Sequence, residues 1–413
     1  MRQDRMVAVA LGNYRRVLAL PGVRTLLVLM FAARIPMSAT SMVLTLHVVL
    51  TLHRSYGSAG LVGAAGTIGI AIGAPLTGRL VDGWGLRGMV VITTLGEGAY
   101  WLTSWMLPYG MLLVLSFIGG LVALPVMSVG RQALAALVPE EHRKAAFSLD
   151  SISVEMSFMV GPAAAVLVAT KVSTPAALIS VGGLIIAAGT AIFAINPAVR
   201  GEHDEVEPDG VRPPRRQWLR PPLLAMMAAG FGAVFVLAGT EVAAVAALRG
   251  VGEINWTGIV VISMCAASMI GGVIYGGLRR TPSALVLMGL LGLLVIPAGL
   301  AGGQWWVLCL VLIPTNLMCA PTLAATGDGT SRLAPASVRG EAMGLQSSAL
   351  TLGAALGSPV IGTVVDHLGP SGGFAAAGIG GVLIAVLAWP LARRRRPPTA
   401  TEELPDALTS VGH

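Results

Sequence analysis

The sequence predicts an all-α integral membrane protein, in which 12 transmembrane helices form two six-helix bundles related by pseudo-symmetry. Three observations predict this fold class: the composition, the spacing of the apolar runs and an internal repeat. Of the 413 residues, 55% are apolar and 11% are charged, and the mean hydropathy is +0.79. An average soluble domain has roughly 25% charged residues. This composition excludes a cytosolic enzyme, a nucleic-acid-binding module and a disordered protein.

A helix that crosses the hydrocarbon core of a bilayer needs about 20 largely apolar residues. Twelve runs have this length, and we number them as spans 1 to 12: 24–50, 59–80, 88–108, 110–137, 146–169, 175–196, 222–248, 257–278, 283–302, 305–326, 341–365 and 373–392. One long connection is charged and rich in proline, and it separates six spans from six. We therefore expect an N-terminal bundle at 1–196, a cytoplasmic central loop at 197–221, a C-terminal bundle at 222–392 and a cytoplasmic tail at 393–413.

The positive charges predict how the spans are oriented. With the N-terminus inside, the inner loops and ends hold 23 of the 27 Lys and Arg residues, and the outer loops hold Arg54, Lys171 and Arg249. Short loops rich in Lys and Arg stay on the cytoplasmic side of a membrane. The sequence thus predicts a multi-pass protein of the inner (plasma) membrane, with the lipid bilayer as its environment and both termini in the cytoplasm. We expect a monomer.

The two halves of the chain are related in sequence. Residues 123–170 align with 319–366 at an offset of 196, with nine identities that include Pro125/Pro321 and Arg143/Arg339. The first spans of the two halves align at an offset of 200. Both copies begin on the same side, so the repeat is parallel and its axis runs along the membrane normal. Two facing bundles with a site between them at mid-membrane are typical of transporters.

The loop between spans 2 and 3 carries a recognisable motif, Gly78-Arg-Leu80-Val-Asp82-Gly-Trp-Gly85-Leu-Arg87. It resembles the signature loop of the major facilitator superfamily, G-x-L-x-D-R-x-G-R-R. Gly78, Leu80, Asp82, Gly85 and Arg87 match, whereas Gly83 and Leu86 replace the usual basic residues. The glycines permit a tight turn and a close approach of helices.

The resemblance implies a role for Asp82 as a latch. In this family the equivalent carboxylate bonds to the N-terminal end of span 11, which here begins near Glu341 and carries partial positive charge. Such a contact would hold the cytoplasmic side shut. The alternative is that Asp82 caps only its own loop. The second half has no Asp at the matching place, so we expect a single intact latch.

Span 5 contains Gly161-Pro162, which resembles a shortened form of the family's antiporter motif, g-x-x-x-G-P-x-x-G-G. Gly357 and Pro359 lie in the corresponding part of span 11. A proline inside a helix removes one backbone hydrogen bond and bends the helix. The motif favours export in exchange for protons, and the alternative is a generic kink in each bundle.

A charged group at the centre of a bilayer costs at least ~3 kcal/mol, so each needs a partner, a cavity or a function. Arg34 lies about mid-way along span 1, and Ser38, Ser41 and Thr45 follow it on the same helical face. This polar stripe suits the wall of a substrate cavity. The alternative is that Arg34 is a structural cation bonded within its own bundle.

Two carboxylates are candidates for carrying a proton. Glu155 lies at a similar depth in span 5 and shares a face with Pro162, so it either binds a proton or pairs with Arg34. Glu241, in the outer part of span 7, is the second choice. The other charges of the spans are predicted to be structural: Glu97 as a buried hydrogen-bond acceptor, and Asp150, Asp328 and Arg131 as interdomain or loop-anchoring groups.

Together these features predict a secondary active transporter that works by alternating access, most simply proton-coupled efflux of small, partly apolar compounds. The alternatives are an importer or facilitator of a small anionic metabolite with Arg34 as its clamp and, from another class, a polytopic membrane enzyme or a receptor. The chain has no G-x-x-x-x-G-K-[ST] and no H-E-x-x-H motif. Cys265, Cys309 and Cys319 form no C-x-x-C pair. We therefore expect no enzyme activity, cofactor, metal or nucleic acid.

Overall fold

The computed structural model of the chain describes residue 12 and residues 14–199, 213–278 and 282–393. All regular secondary structure of these residues is helical. Residues 200–212 of the predicted central loop and residues 394–413 of the predicted tail lie outside the described residues. Also outside the described residues are 1–11, 13 and 279–281. The Lys and Arg residues of the predicted inner loops that fall at any of these positions are likewise not described.

The N-terminal half, defined here as spans 1 to 6, consists of long helices joined by short connections. Its helices are Val23–Leu46, extended by a π-helical turn at His47–Thr51, then Tyr56–Thr103, Tyr109–Leu121, Val126–Leu137, Glu140–Lys171 and Thr174–Ile195. Tyr56–Thr103 contains both span 2 and span 3. These spans meet at Gly85, whose positive φ of 80° breaks the helix and is a backbone conformation that glycine adopts without strain.

The C-terminal half, spans 7 to 12, has the same pattern. Its helices are Pro221–Gly250, Thr257–Gly277, Ala284–Val295 with a 3-10 turn at Ile296–Leu300, Trp305–Asn316, Cys319–Leu333 and Arg339–Arg393. A break at Gly369 separates span 11 from span 12 within the last helix. Two spans run further than the sequence predicts, because span 5 begins at Glu140 and span 10 continues to Leu333.

Among the described residues, nine helices are long and apolar enough to cross a membrane, and Ala284–Leu300 is a shorter apolar helix. Two of the nine contain the breaks at Gly85 and Gly369. Dividing these two helices at their breaks gives eleven segments, and Ala284–Leu300 completes the twelve apolar segments that the sequence predicts. Many large apolar side chains on these helices point outward, which is the arrangement expected where a bilayer takes the place of water.

Matched backbone contacts show the pseudo-symmetry of the two halves. In span 5, a Cβ on Gly161 would lie 2.6 Å from the carbonyl oxygen of Ile35 in span 1. In span 11, a Cβ on Gly357 would lie 2.5 Å from the carbonyl oxygen of Phe235 in span 7. These pairs are related by the offsets of 196 and 200 found in the sequence. Small residues thus permit close packing of spans 1 and 5, and of spans 7 and 11, at equivalent points.

Spans 4 and 10 are interrupted at equivalent points as well. Span 4 stops at Leu121 and resumes at Val126, and span 10 stops at Asn316 and resumes at Cys319. The carbonyl of Leu121 meets Gly73 of span 2, and the carbonyl of Leu317 meets Gly271 of span 8. Neither interruption was predicted, because each run was counted as one continuous span although Pro125 lies at the first interruption and Pro314 near the second. Spans 2 and 11, and spans 5 and 8, pack against each other across the two halves.

Candidate functional site

A cavity of about 500 Å³ lies mostly inside the N-terminal half, and span 11 contributes to one wall. Its walls combine hydroxyl groups with aromatic and aliphatic side chains. The predicted stripe of span 1 contributes Arg34, Ser38, Ser41 and Thr45. The remaining polar lining residues include Thr67, Glu97, Tyr100, Ser116, Ser347 and Thr351. The cavity is large enough for a small organic molecule and offers it a mixture of apolar surface and hydrogen-bonding groups.

Arg34 forms a buried charge cluster with two other residues at the base of the cavity. Its Nη2 atom lies 2.6 Å from Oδ1 of Asp150, and Nε of Arg131 lies 3.5 Å from Oδ2 of the same carboxylate. Arg34, Arg131 and Asp150 are 2%, 4% and 0% exposed. Two cations therefore share one anion, and the cluster has a net charge of +1. Nε of Arg34 has no hydrogen-bond partner among the described residues.

This cluster differs from the expected pairing in two ways. Arg34 pairs with Asp150 rather than with Glu155, because Asp150 lies on the face of span 5 that packs against span 1. Asp150 accordingly lies inside the first bundle and is not an interdomain or loop-anchoring charge. Arg131 bonds to it and also packs against the other half, because a Cβ on Gly327 of span 10 would lie 3.5 Å from Cδ of Arg131. Gly130 leaves the room for this arrangement, since a Cβ there would lie 3.0 Å from Nη2 of Arg34. Arg34 is thus bonded within its own bundle and also lines the cavity, so the two interpretations of its role are compatible.

Glu97 is the other buried charge of the cavity wall. Its Oε2 atom accepts a hydrogen bond of 2.6 Å from the backbone N–H of Leu124, at the interruption of span 4. Oε1 accepts from the indole N–H of Trp101 at 3.4 Å. A helix break leaves backbone N–H groups without intrahelical partners, and a carboxylate is a strong acceptor for them. Glu97 therefore has the hydrogen-bonding role that the sequence suggests, in a position that also faces the cavity.

Glu155 lies outside the cavity, where span 5 meets the C-terminal half. Its Oε1 atom accepts hydrogen bonds from the hydroxyl of Ser268 in span 8 at 2.7 Å and from the thiol of Cys319 in span 10 at 3.4 Å. Glu241 of span 7 is exposed and interacts electrostatically with Glu155. The proton-carrier candidates therefore interact with each other, whereas Arg34, Ser38 and Ser41 line the cavity.

The cavity wall and this carboxylate cluster occupy equivalent places in the two halves. The offset of 196 relates Glu155 to Thr351, and the offset of 200 relates Glu241 to Ser41. Both of these hydroxyl residues line the cavity. An offset of 198, which also matches Gly73 with Gly271, relates Cys265 to the cavity residue Thr67. One pseudo-symmetric position thus holds a cavity lined with hydroxyls, and the other holds two carboxylates, two thiols and a serine.

The signature loop brings Asp82 to the start of span 11. Its Oδ1 atom accepts from the backbone N–H of Gly340 at 3.0 Å, and Oδ2 accepts from that of Glu341 at 2.9 Å. Asp82 is 8% exposed, and Gly78 and Gly340 permit the two backbones to touch. Asp82 therefore contacts the opposite half, with its charge aimed at free N–H groups of a helix terminus.

Ion pairs surround this contact. Glu341 bonds to Arg79 at 2.9 Å and to Arg215 at 2.6 Å, and Arg332 bonds to Glu140 at 2.8 Å. We call this end of the molecule the latch side and the opposite end, which carries Ser55 and Trp305, the distal side. The polar contacts between the halves described above lie at Glu155 or between Glu155 and the ends of the spans on the latch side. The halves are therefore bonded together on the latch side.

The other motif residues have local roles. Leu80 is partly buried against the core of the N-terminal half, and Arg87 donates from Nε to the carbonyl of Phe193 in span 6 at 3.3 Å. The helices continue without interruption through Pro162 and Pro359, so a functional kink at these residues stays a prediction. Among the described residues, no group of three or more His, Cys, Asp or Glu is placed to hold a metal ion.

The sequence profile of the Major Facilitator Superfamily matches residues 26–296 and 250–410. Among curated proteins, none matches the chain. Solved structures with the same fold include three transporters. A human organic anion transporter, TETRAN, has a TM-score of 0.68 and 17% identity, and the alignment covers 91% of this chain and 99% of that one. A proton:xylose symporter has a TM-score of 0.69 and 13% identity, with 90% and 96% covered.

The third structure is a bacterial homologue of the iron transporter ferroportin in an outward-facing state, with a TM-score of 0.69, 15% identity and coverages of 90% and 98%. At these identities the three likenesses show the fold alone. The profile match extends over most of the chain and agrees with the signature loop, the internal repeat and the two halves bonded at Asp82. The chain therefore belongs to the Major Facilitator Superfamily of membrane transporters.

Proposed function

We propose that this protein is a secondary active transporter of the cell (plasma) membrane that works by alternating access as a proton-coupled antiporter for efflux of small, partly apolar compounds. The observation that carries the proposal is the cavity, whose wall includes residues of both halves and whose lining includes none of the bonded residues of the latch side. The 23 inner Lys and Arg residues support the latch side as the cytoplasmic side. The described conformation is then an outward-facing one.

The cavity supports a small substrate with apolar and hydrogen-bonding parts. Hydroxyl groups of Ser38, Ser41 and Ser116 hydrogen-bond a polar group, while Met37 and Trp101 supply apolar contact. Ser347 and Thr351 belong to span 11, so the substrate would touch both halves. A rocking motion of the halves would change these contacts, and a ligand shifts a conformational equilibrium only through such differences between the two states.

The contacts of Glu155 support its role as the proton carrier. This carboxylate is bonded to Ser268 and Cys319 of the opposite half, so separation of the halves would remove its hydrogen-bond donors. Loss of donors and entry of water alter the relative free energies of the charged and neutral forms. Proton binding at Glu155 would thereby be tied to the conformation, which is what coupling requires.

One observation favours a second candidate function, transport of a small anion. The cluster of Arg34, Arg131 and Asp150 has a net positive charge, and Nε of Arg34 lacks a partner among the described residues. A carboxylate in the cavity would neutralise this charge and accept a hydrogen bond from a guanidinium. In this case the same fold would import or facilitate the movement of an anionic metabolite.

Transport in proteoliposomes tests the coupling. A panel of lipophilic amines and small carboxylic acids is first screened for stabilisation of the purified protein, because a ligand that binds only the folded state raises the melting temperature. With the best compound, Glu155→Gln should abolish uphill flux driven by a pH gradient and retain counterflow at fixed pH, since exchange needs no net proton movement. The matched control is Glu141→Gln, an exposed carboxylate on the same helix, which should retain both activities.

Retained uphill flux in Glu155→Gln, or the loss of both activities in a folded variant, would exclude Glu155 as the proton carrier. Stabilisation by the acids alone would favour the anion transporter. The orientation is tested separately in a background without native cysteines. Ser55→Cys should react with an impermeant reagent on intact cells, and Pro282→Cys should not.

A further inference from the structure

The interface between spans 2 and 11 has a pseudo-symmetric counterpart between spans 8 and 5. At the first interface the backbone of span 2 touches the start of span 11, so that a Cβ on Gly78 would collide with Gly340. The corresponding residues at the second interface are Gly276 and Lys144. The position of Asp82 corresponds to Arg280, which lies outside the described residues. The sequence therefore repeats the glycine of the first interface but not its carboxylate.

At the second interface, Tyr14 occupies the space next to Gly276. A Cβ on Gly276 would collide with the hydroxyl group of Tyr14, just as one on Gly78 would collide with Gly340. The Tyr14 hydroxyl lies 2.8 Å from the carbonyl oxygen of Val273, 3.0 Å from that of Gly272 and 3.2 Å from the hydroxyl of Ser148. Ser148 also bonds the Gly272 carbonyl. A phenol has one proton, so Tyr14 donates to one of the two carbonyls at a time.

Tyr14 belongs to the N-terminal half, although its hydroxyl bonds to the C-terminal half. Residues 14–19, which precede span 1, are helical. Val17 is fully buried, and Tyr14, at 7% exposure, packs with it in the core that contains Val81 and Met89. The side chain would therefore move with the N-terminal half. Any separation of spans 5 and 8 on the latch side has to break the bonds to Gly272 and Val273.

We propose that Tyr14 is a second latch, which holds span 8 against the N-terminal half at the place where the repeat lacks the aspartate. The latch side then opens only when both the Asp82 and the Tyr14 contacts are released. This proposal rests on the alternating access proposed above. It assigns a positioning role in the transport cycle to a residue that precedes the first span and lies outside the signature loop.

The two latches differ in strength. Asp82 is a carboxylate that accepts two backbone hydrogen bonds, whereas Tyr14 makes neutral hydrogen bonds to backbone carbonyls and to Ser148. Hydrogen bonds that involve a charged group are roughly twice as strong as neutral ones. The equilibrium concerned is that between the closed and the open latch side. Loss of the neutral bond of Tyr14, at about 1 kcal/mol, should change this equilibrium about fivefold, and loss of the charged interaction of Asp82 should change it about tenfold or more.

A reporter cysteine measures the opening of the latch side without a substrate. Ala324 is 1% exposed and packs with Phe147 and Tyr275 between the halves, so Ala324→Cys is a small change that is shielded while the latch side is closed. The native residues Cys265, Cys309 and Cys319 are replaced by alanine. The rate of maleimide labelling in detergent micelles then reports the population open on the latch side.

We expect Tyr14→Phe to raise this labelling rate about fivefold and Asp82→Asn to raise it about tenfold. The double variant should raise the rate about fiftyfold, because independent contributions add in free energy. The matched control is Tyr109→Phe, which removes a hydroxyl that bonds Ser58 on the distal side. It should leave the rate unchanged. Gly276→Ala, which displaces the Tyr14 hydroxyl, should reproduce the effect of Tyr14→Phe and add little to it.

A second reporter distinguishes a latch from general loosening. Gly63→Cys lies in the cavity wall, where an added side chain would meet nothing within 4 Å. Its labelling should fall in the double variant, because the cavity closes towards the distal side as the latch side opens. A rise at both reporters would indicate partial unfolding and overturn the proposal.

The proposal is also overturned if Tyr14→Phe and Gly276→Ala leave labelling at Ala324→Cys unchanged while Asp82→Asn raises it. That result would leave alternating access and the Asp82 latch intact. If Asp82→Asn changes nothing either, the two-latch gate and the underlying alternating access fail together. Transport measurements give a further test. If Tyr14 and Asp82 act as latches, Tyr14→Phe and Asp82→Asn should each lower the maximal transport rate more than they alter the apparent KM.

Discussion

The N-terminal and C-terminal halves have the same helix contacts but different buried chemistry. Gly161 against Ile35 and Gly357 against Phe235 are equivalent contacts. The charged cluster, in contrast, occurs once. Its residues Arg34, Arg131 and Asp150 correspond to the uncharged residues Val234, Gly327 and Gln346 of the other half. The difference teaches that the repeat preserves the backbone packing between equivalent spans, while the buried side chains differ between the halves.

A similar division applies at the interface. The hydroxyl residues Ser41 and Thr351 line the cavity, and their counterparts Glu241 and Glu155 lie beside the thiols of span 8 and span 10. Equivalent positions of the repeat thus carry hydroxyl groups in the cavity wall and carboxylates in the acidic cluster. This arrangement would let a substrate and a proton bind at different places and still respond to the same motion.

The largest difference between the halves should follow removal of the charge on Asp150. Asp150→Asn leaves Arg34 and Arg131 buried without an anion, so the protein should lose about 3–5 kcal/mol of stability. The corresponding change, Gln346→Leu, removes only the bond to Thr330 and should cost about 1 kcal/mol. Thermal melting in detergent measures both. Adding Arg131→Gln to Asp150→Asn should restore part of the loss, and equal melting of the two single variants would contradict the comparison.

The acidic and the neutral positions should also differ in transport. Thr351→Val removes one hydroxyl of the cavity wall, so the apparent KM should rise about fivefold for a lost hydrogen bond of about 1 kcal/mol. Its proton-to-substrate ratio should stay as in the original protein, whereas Glu155→Gln should lose uphill flux. Initial rates and proton movement in proteoliposomes give both quantities. A changed ratio in Thr351→Val would mean that the two sites are not separate.

Asp82→Asn should produce a smaller, conformational effect. The amide keeps one acceptor oxygen but removes the charge aimed at the start of span 11, so the latch side should open about tenfold more often and transport should fall strongly. Asp366→Asn, an exposed carboxylate near the distal end of span 11, is the control and should retain transport. Normal transport by Asp82→Asn at normal expression would show that Asp82 is not a latch.

The smallest difference between the halves is expected at the paired glycines. Gly161→Ala and Gly357→Ala each place a methyl group against a backbone carbonyl, and overpacking of this kind costs about 1–3 kcal/mol. At Gly161 the methyl group also meets the hydroxyl of Ser38, which can rotate away. Because the two contacts are equivalent, the two melting temperatures should fall by similar amounts. Gly183→Ala, where a Cβ meets nothing within 4 Å, is the control. A large effect at only one of the two would show that backbone packing is not shared.

Some features of the candidate site were accessible from the sequence and others were not. Asp82 and Gly85 could be singled out because they match the signature loop, and Arg34 because a charge inside an apolar run needs a partner, a cavity or a function. The partner of Arg34 could not be chosen, because Asp150 and Glu155 are close in sequence and their faces on span 5 are separated only by packing. Tyr14 could not be found at all, because its carbonyl partners in span 8 are more than 250 residues away and backbone groups leave no trace in the sequence.

The sequence by itself determined the membrane environment, the number of apolar segments, their grouping into two related halves and the identity of the signature loop. These properties follow from local composition and from spacing along the chain, since a bilayer sorts residues by hydrophobicity one segment at a time. Only the tertiary structure decided where the spans break and which charges share a partner. It also decided that the cavity, mostly in the N-terminal half, has the acidic cluster as its pseudo-symmetric counterpart where span 5 meets the C-terminal half. Those outcomes depend on contacts between distant helices, whose geometry is set by small residues and buried polar groups acting together.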